Sequence, residues 1–117
     1  MAELTVYIKP TCTTCRNALE LLEKRKARFE TVDLFRTPLT AEQLGAICRK
    51  LGVGPREILR AKDPAYQELG LGSSRHSDAQ LLELLAAHPG LIQRPIVVKG
   101  RRAVVGRPID AIAELLD

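Results

Sequence analysis

Leu4, Val6 and Ile8 alternate with Thr5 and Tyr7, the period-two pattern of a strand, and Pro10 closes it just before Thr11 and Cys12. From Thr14 to Lys26 the pattern changes to a helical one, with Cys15, Leu19 and Leu22 on one face and Glu20, Glu23 and Lys24 largely elsewhere. Phe29 to Leu34 is a second predicted strand, and a helix of this length between two strands makes them parallel neighbours in a right-handed βαβ unit. Thr40 with Gln43 three residues later forms a capping box, and Leu44, Ile47 and Leu51 mark the amphipathic helix it starts, ending at Gly52. Gly54-Pro55 opens a short helix through Leu59. Ser77 and Gln80 repeat the capping signature ahead of a helix in which Leu81, Leu82, Leu84 and Leu85 pack inward until His88-Pro89-Gly90 stops it. Ile96–Lys99 and Ala103–Val105 form two strands around a tight Gly100-Arg101 turn, and an amphipathic helix closes the chain over Pro108–Leu116.

The order β-α-β, helices, β-β-α predicts an α/β class with the connectivity of a thioredoxin-like core and a helical insertion between strands two and three. A chain of 117 residues with 45% hydrophobic content supports one ordinary core, so a single domain over residues 1–117 is expected. No apolar run approaches the length of a membrane span, and MAELTVYIKP lacks the layout of a secretory signal. A cytoplasmic protein with no membrane partner is the expectation. Three cysteines are too few for a disulfide scaffold and leave at least one thiol free, as a reducing compartment allows. The net charge of +4 is interleaved with acidic residues, and four aromatics offer little for base stacking. A small anionic substrate fits that charge better than nucleic acid.

The chemistry centres on Pro10-Thr11-Cys12-Thr13-Thr14-Cys15-Arg16. A cysteine where a strand runs into a helix meets unpaired backbone N–H groups with partial positive charge, which favour thiolate over thiol and can also cradle an oxyanion. Arg16 would add positive charge nearby. Zinc is the competing reading of a C-x-x-C pair, but Cys48, His76 and His88 fall at no ligand spacing, so no metal is expected. Cys48 sits on the apolar side of its helix and is expected in the core, while His76 and His88 are expected at the surface. Three arginines stand out by context: Arg60 after the Pro55 helix, Arg94 before Pro95, and Arg107 before Pro108. A cis bond at Pro95 would turn the backbone sharply and aim Arg94 at the strand ends, although sequence leaves the isomer open. The crevice beyond the carboxyl ends of the strands is where the Cys12 loop must also lie.

These residues carry a family resemblance. Cys12 with Thr14, Arg16 and Asn17, the segment Ile58-Leu59-Arg60, the run Tyr66-Gln67-Glu68-Leu69-Gly70-Leu71 and the run from His88 through Arg94-Pro95 to Val98 together resemble the glutaredoxin-coupled arsenate reductases along essentially the whole chain. The resemblance implies a thioredoxin-like fold with a mixed four-stranded sheet and helices on both faces, and a cis peptide at Pro95. It implies Cys12 as nucleophile, Arg60, Arg94 and Arg107 as oxyanion-binding residues, and Thr14, Arg16 and Pro95 in support. Arsenate would be reduced to arsenite, with glutathione as co-substrate, glutaredoxin as partner and no bound metal or prosthetic group, by a monomer. Physically, the Cys12 thiolate would attack arsenic(V) while guanidinium forks neutralise its oxygens.

Two positions depart from the family pattern. Many such reductases carry histidine where this chain has Ile8, and an imidazolium there would help depress the thiol pKa. Position 15 is usually not cysteine in them, whereas the Spx-type redox regulators, which share the fold and bind the RNA polymerase α subunit, carry this C-x-x-C. Cys15 is thus a candidate resolving thiol or redox partner of Cys12, which moves the expected electron donor towards thioredoxin. A redox-sensing regulator of the Spx type and a thiol-dependent reductase of another substrate stand as the alternatives.

Overall fold

The computed structural model describes residues 3–73 and 75–116, which form two compact units: residues 3–37 with 94–116, and residues 38–93.

The first unit is built on a sheet of β1 (Leu4–Ile8), β2 (Phe29–Asp33), β3 (Ile96–Lys99) and β4 (Arg102–Val105) in the order β2-β1-β3-β4. The β1–β2 pair is parallel, from Leu4 opposite Phe29 to Ile8 opposite Asp33, because α1 (Thr13–Lys24) crosses over between them. The β1–β3 and β3–β4 pairs are antiparallel, so the sheet is mixed, as expected. Alternation places Leu4, Val6 and Ile8 on one face of β1. That face packs, with Val97, against Cys15, Ala18 and Leu22 of α1 and against Ile112 and Leu115 of α5 (Asp110–Leu116).

Two element ends differ from the sequence reading by more than one residue. The first helix stops at Lys24 and not Lys26: Arg25 caps it, Lys26 takes a left-handed φ of 56°, and the Ala27 N–H bonds back to the Leu22 carbonyl. Basic residues favour helix locally, but the chain must reverse in time for Phe29 to pair opposite Leu4, and strand pairing overrides propensity. At the other end Pro108 and Ile109 precede α5, where Ala111 and Ile112 donate to Pro108 and Ile109 in a tighter i+3 turn before regular helix begins.

Gly106, between β4 and α5, has no room for a side chain. A Cβ there would lie 2.9 Å from both Ile112 Cδ1 and Pro95 Cγ. We expect Gly106→Ala to destabilise the protein by about 1–3 kcal/mol through overpacking, read as a lowered midpoint in urea unfolding; an unchanged midpoint would mean that α5 gives way freely.

The second unit carries the helical insertion. The capping box at α2 (Ala41–Leu51) is complete, with the Gln43 N–H donating to Thr40 Oγ1 at 3.1 Å and the Thr40 N–H to Gln43 Oε1 at 2.9 Å. Gly52 ends this helix in the left-handed region, at a φ of 75°. A 3₁₀ turn covers Pro55–Ile58 and a second one Pro89–Leu91. Ser77 and Gln80 cap α4 (Asp78–Ala87) in the same reciprocal way. Of its four leucines only Leu81 and Leu85 are buried, because these lie one turn apart on one face, and Leu82 and Leu84 flank it half-buried. The short helix α3 (Pro64–Glu68) was not anticipated, although Asp63-Pro64 is its start signal: the Asp63 carboxylate accepts from the Ala65 N–H at 2.9 Å. Cys48 is buried beside Leu44 and Ile47, as expected of a core cysteine. No helix among the described residues is long and apolar enough to cross a membrane.

Candidate functional site

Pro10 and Thr11 break the chain after β1, and the Cys12 N–H donates to the Lys9 carbonyl at 2.9 Å, turning the chain into α1. Cys12 is the N-cap of that helix, with extended backbone angles (φ −82°, ψ 122°). Its sulfur therefore stands among the unpaired N–H groups of the first turn, while Cys15, one turn on, points into the core and is fully buried. Both cysteines are reduced.

Antiparallel pairing brings the arginines to this thiol. Because β3 runs opposite to β1, with Tyr7 paired to Ile96, the residues just before Ile96 arrive beside the loop that follows Ile8. Those residues are Arg94 and Pro95, joined by a cis peptide bond. Since β4 runs opposite to β3, with Val105 paired to Ile96, Arg107 emerges at the same edge. Arg107 is clamped there: its Nε donates to the Arg94 carbonyl at 2.7 Å, and its Nη2 reaches Cys12 Sγ at 3.7 Å.

Arg94 is 5% exposed, and its Nε and Nη1 are buried with no hydrogen-bond partner. Buried donors are nearly always paired, so two unpaired ones on a cation beside a thiol form a cradle ready for a ligand's oxygens. The effect on the cysteines is opposite in sign. Partial burial pushes the Cys12 thiol up, but hydrogen bonds from the Cys15 backbone and side chain, with the Arg94 guanidinium as donor and charge, outweigh it and lower its pKa to about 7. Burial pushes Cys15 up to about 11, and donation to Cys12 holds its proton further. The pair is thus differentiated into a thiolate at Cys12 and a thiol at Cys15.

The sequence reading placed Arg16 near the thiol charge; Arg16 is instead exposed, and the positive charge that acts on Cys12 is that of Arg94. Arg16 lies on the face of α1 opposite to the one that Cys15 and Ala18 bury, whereas Arg94 arrives at the thiol just ahead of β3. Ile8 lies in the core against which Cys12 packs. The thiol pKa is therefore low without a histidine there. Thr14 occupies the first turn of α1, and Pro95 is buried. Arg60 belongs to the second unit, where its N–H donates to the Leu91 carbonyl at 2.7 Å and its Nη1 to the Gly90 carbonyl at 3.1 Å. His88 is exposed and His76 half-buried. No group of three or more His, Cys, Asp or Glu residues among those described is arranged to hold a metal ion.

Sequence reasoning missed two neighbours of the site. The Phe35 ring has Arg94 Cζ 5.9 Å and Lys9 Nζ 5.0 Å from its centroid. Its available signal was an aromatic just past a strand end in a chain with only four aromatics.

Residues 7–115 match the ArsC family. The arsenate reductase of Neisseria meningitidis serogroup A is 39% identical over 117 residues, covering 99% of this chain and 100% of that protein. A solved arsenate reductase from Vibrio cholerae superposes with a TM-score of 0.92 at 35% identity, covering 97% of this chain and 98% of that one. The global transcriptional regulator Spx of Enterococcus faecalis is 34% identical over 113 residues, covering 97% and 86%. A match that runs nearly from end to end, in sequence and in fold, makes this chain a member of the ArsC family.

Proposed function

We propose that the protein is a thiol-dependent arsenate reductase whose nucleophile is Cys12. The observation that carries this reading is a cysteine with a pKa of about 7 facing two arginines, one of which holds two buried donors without partners. In this reading the Cys12 thiolate attacks arsenic(V), an As–S bond forms, and one arsenate oxygen leaves as water. Arg94 and Arg107 neutralise the remaining oxygens as charge builds. Thr14, Arg16 and Pro95 shape the loop around the nucleophile.

Reduction then takes two electrons from thiols by one of two routes. In the first, glutathione displaces a second oxygen from arsenic as water; a glutaredoxin thiolate attacks the glutathione sulfur, a mixed disulfide leaves with the electron pair staying on arsenic(III), and water then displaces the Cys12 thiolate to release arsenite. In the second, Cys15 attacks Cys12 Sγ, the As–S electron pair goes to arsenic, arsenite leaves, and a Cys12–Cys15 disulfide remains for thioredoxin to reduce. The three-residue spacing of the cysteines supports the second route, in which Cys15 gives up its proton to the departing arsenite as it attacks. A reducing cytoplasm suits both.

The test is arsenate-dependent NADPH consumption by the purified protein, supplied with glutathione, glutaredoxin and glutathione reductase, or with thioredoxin and its reductase. Turnover with either set supports the reading and names the donor. No turnover with both, from protein whose Cys12 still alkylates rapidly at neutral pH, would favour a redox-sensing regulator. The C-x-x-C and the full-length similarity to an Spx protein support that second reading, and disulfide-dependent binding to the RNA polymerase α subunit would test it.

Cys15→Ser separates the routes. If Cys15 resolves the intermediate, turnover with thioredoxin should fall at least about 100-fold, since the attacking group of the step is gone, while glutathione and glutaredoxin still support it. Equal rates with both donors would make Cys15 a bystander.

A further inference from the structure

Phe35 takes no part in the scheme above, yet it contacts the residue on which that scheme depends. It lies in the turn that follows β2, two residues past Asp33, and its backbone is held rather than loose. The Leu34 N–H donates to the Ile8 carbonyl at 2.9 Å, the Phe35 N–H to Asp33 Oδ1 at 2.9 Å, and the Thr37 N–H to the Asp33 carbonyl at 2.8 Å. This turn presents a large aromatic ring that is 44% exposed, at the edge where Arg94 is buried. The ring is only part-buried, so what its open face touches matters beside the area it hides.

It touches two cations. Arg94 Cζ lies 5.9 Å and Lys9 Nζ 5.0 Å from the ring centroid, both within cation–π range. Arg94 gains from such a contact, because its interaction with Cys12 leaves Nε and Nη1 unpaired and does not by itself fix the plane of the guanidinium. A charged hydrogen bond to an aspartate or glutamate would fix it too, but would use up the donors and neutralise the charge. A ring face orients the cation and uses none of its N–H donors. We propose that Phe35 is a positioning residue: its ring holds the Arg94 guanidinium in the plane that presents its free donors to an oxyanion bound at Cys12. Lys9, on the same ring, keeps a second positive charge at the mouth of the site, and Arg107 remains anchored independently through the Arg94 carbonyl.

The proposal rests on Cys12 and Arg94 acting together on an oxyanion, and its test is readable without arsenate turnover. The first readout is the pH dependence of Cys12 alkylation by iodoacetamide; Cys15 and Cys48, both raised by burial, stay protonated in the range scanned. The second is the KM for arsenate under the donor that supports turnover. In Phe35→Leu, which keeps apolar bulk and loses the ring, the Cys12 alkylation midpoint should move up by about half a pH unit and KM should rise about 3- to 10-fold, the scale of one partly desolvated cation–π contact, with kcat changing less. Phe35→Trp, whose ring binds cations best, should keep both values at those of the parent. A Phe35→Leu protein with unaltered midpoint and KM would overturn the proposal, and so would a Phe35→Trp protein as impaired as Phe35→Leu. Should the parent fail to reduce arsenate, the alkylation midpoints of the three proteins still decide the role of Phe35, so the two readings fail separately.

Discussion

Cys12→Ser is expected to abolish arsenate reduction with every thiol donor, a loss of at least about 10⁴-fold set by the far weaker nucleophilicity of a hydroxyl at neutral pH. The fold should survive the change, because Cys12 is half-buried and serine is a preferred N-cap. Unfolding midpoints should therefore match within error while NADPH consumption disappears. The parent enzyme should show the same chemistry in its pH profile. If the Cys12 thiolate attacks arsenic as proposed, kcat/KM should fall about tenfold per pH unit below the Cys12 pKa of about 7 and level off above it. The sign follows from the depressed pKa: an acid that must be ionised loses activity as pH falls through it. Cys15, held near 11, adds no second rise in the neutral range. Retained turnover in Cys12→Ser would remove Cys12 from the mechanism.

The second large effect is expected at Arg94. Arg94→Ala should lower kcat/KM for arsenate by about 10²–10³-fold, the cost of deleting a preorganised, desolvated donor to an oxyanion. It should also raise the Cys12 pKa, since the guanidinium acts on that thiolate as both donor and charge. Stability should not fall in proportion, because the parent holds two buried N–H groups without partners, and removing them relieves a desolvation cost that offsets the lost packing. Arg94→Lys should recover the charge and not the rate, for an ammonium lacks the planar fork. Arsenate kinetics together with thiol titration on both variants decide this; an Arg94→Ala enzyme with parental kcat/KM would shift oxyanion binding to Arg107.

The elements and the placing of Cys12 at a helix N-terminus were legible because their causes are local. Alternation at Leu4, Val6 and Ile8, the reciprocal caps at Thr40 and Ser77, and a cysteine between a strand and a helix act within a few residues, so a linear pattern carries them. Misreadings arose where a distant constraint intervened. Lys26 leaves the helix because β2 must pair from Phe29, and Leu82 and Leu84 are only half-buried because neighbouring helices, not hydrophobicity alone, set which face is covered. The short helix at Pro64 was the exception: its Asp-Pro signal was local and was passed over.

For the site, chain order and residue chemistry by themselves determined that a thiol would stand at a helix N-terminus, that arginines flank Pro95 and Pro108, and that Cys15 follows one turn after Cys12. Only the tertiary structure decided which positive charge counts. Arg16 is four residues from Cys12 and faces solvent; Arg107 lies 95 positions away and reaches its sulfur. The reason is the strand order β2-β1-β3-β4, whose two antiparallel steps return the chain to the edge where β1 ends, at Arg94 and then at Arg107. The Phe35 ring joins them there because β2 ends parallel to β1, and no separation along the chain encodes that meeting.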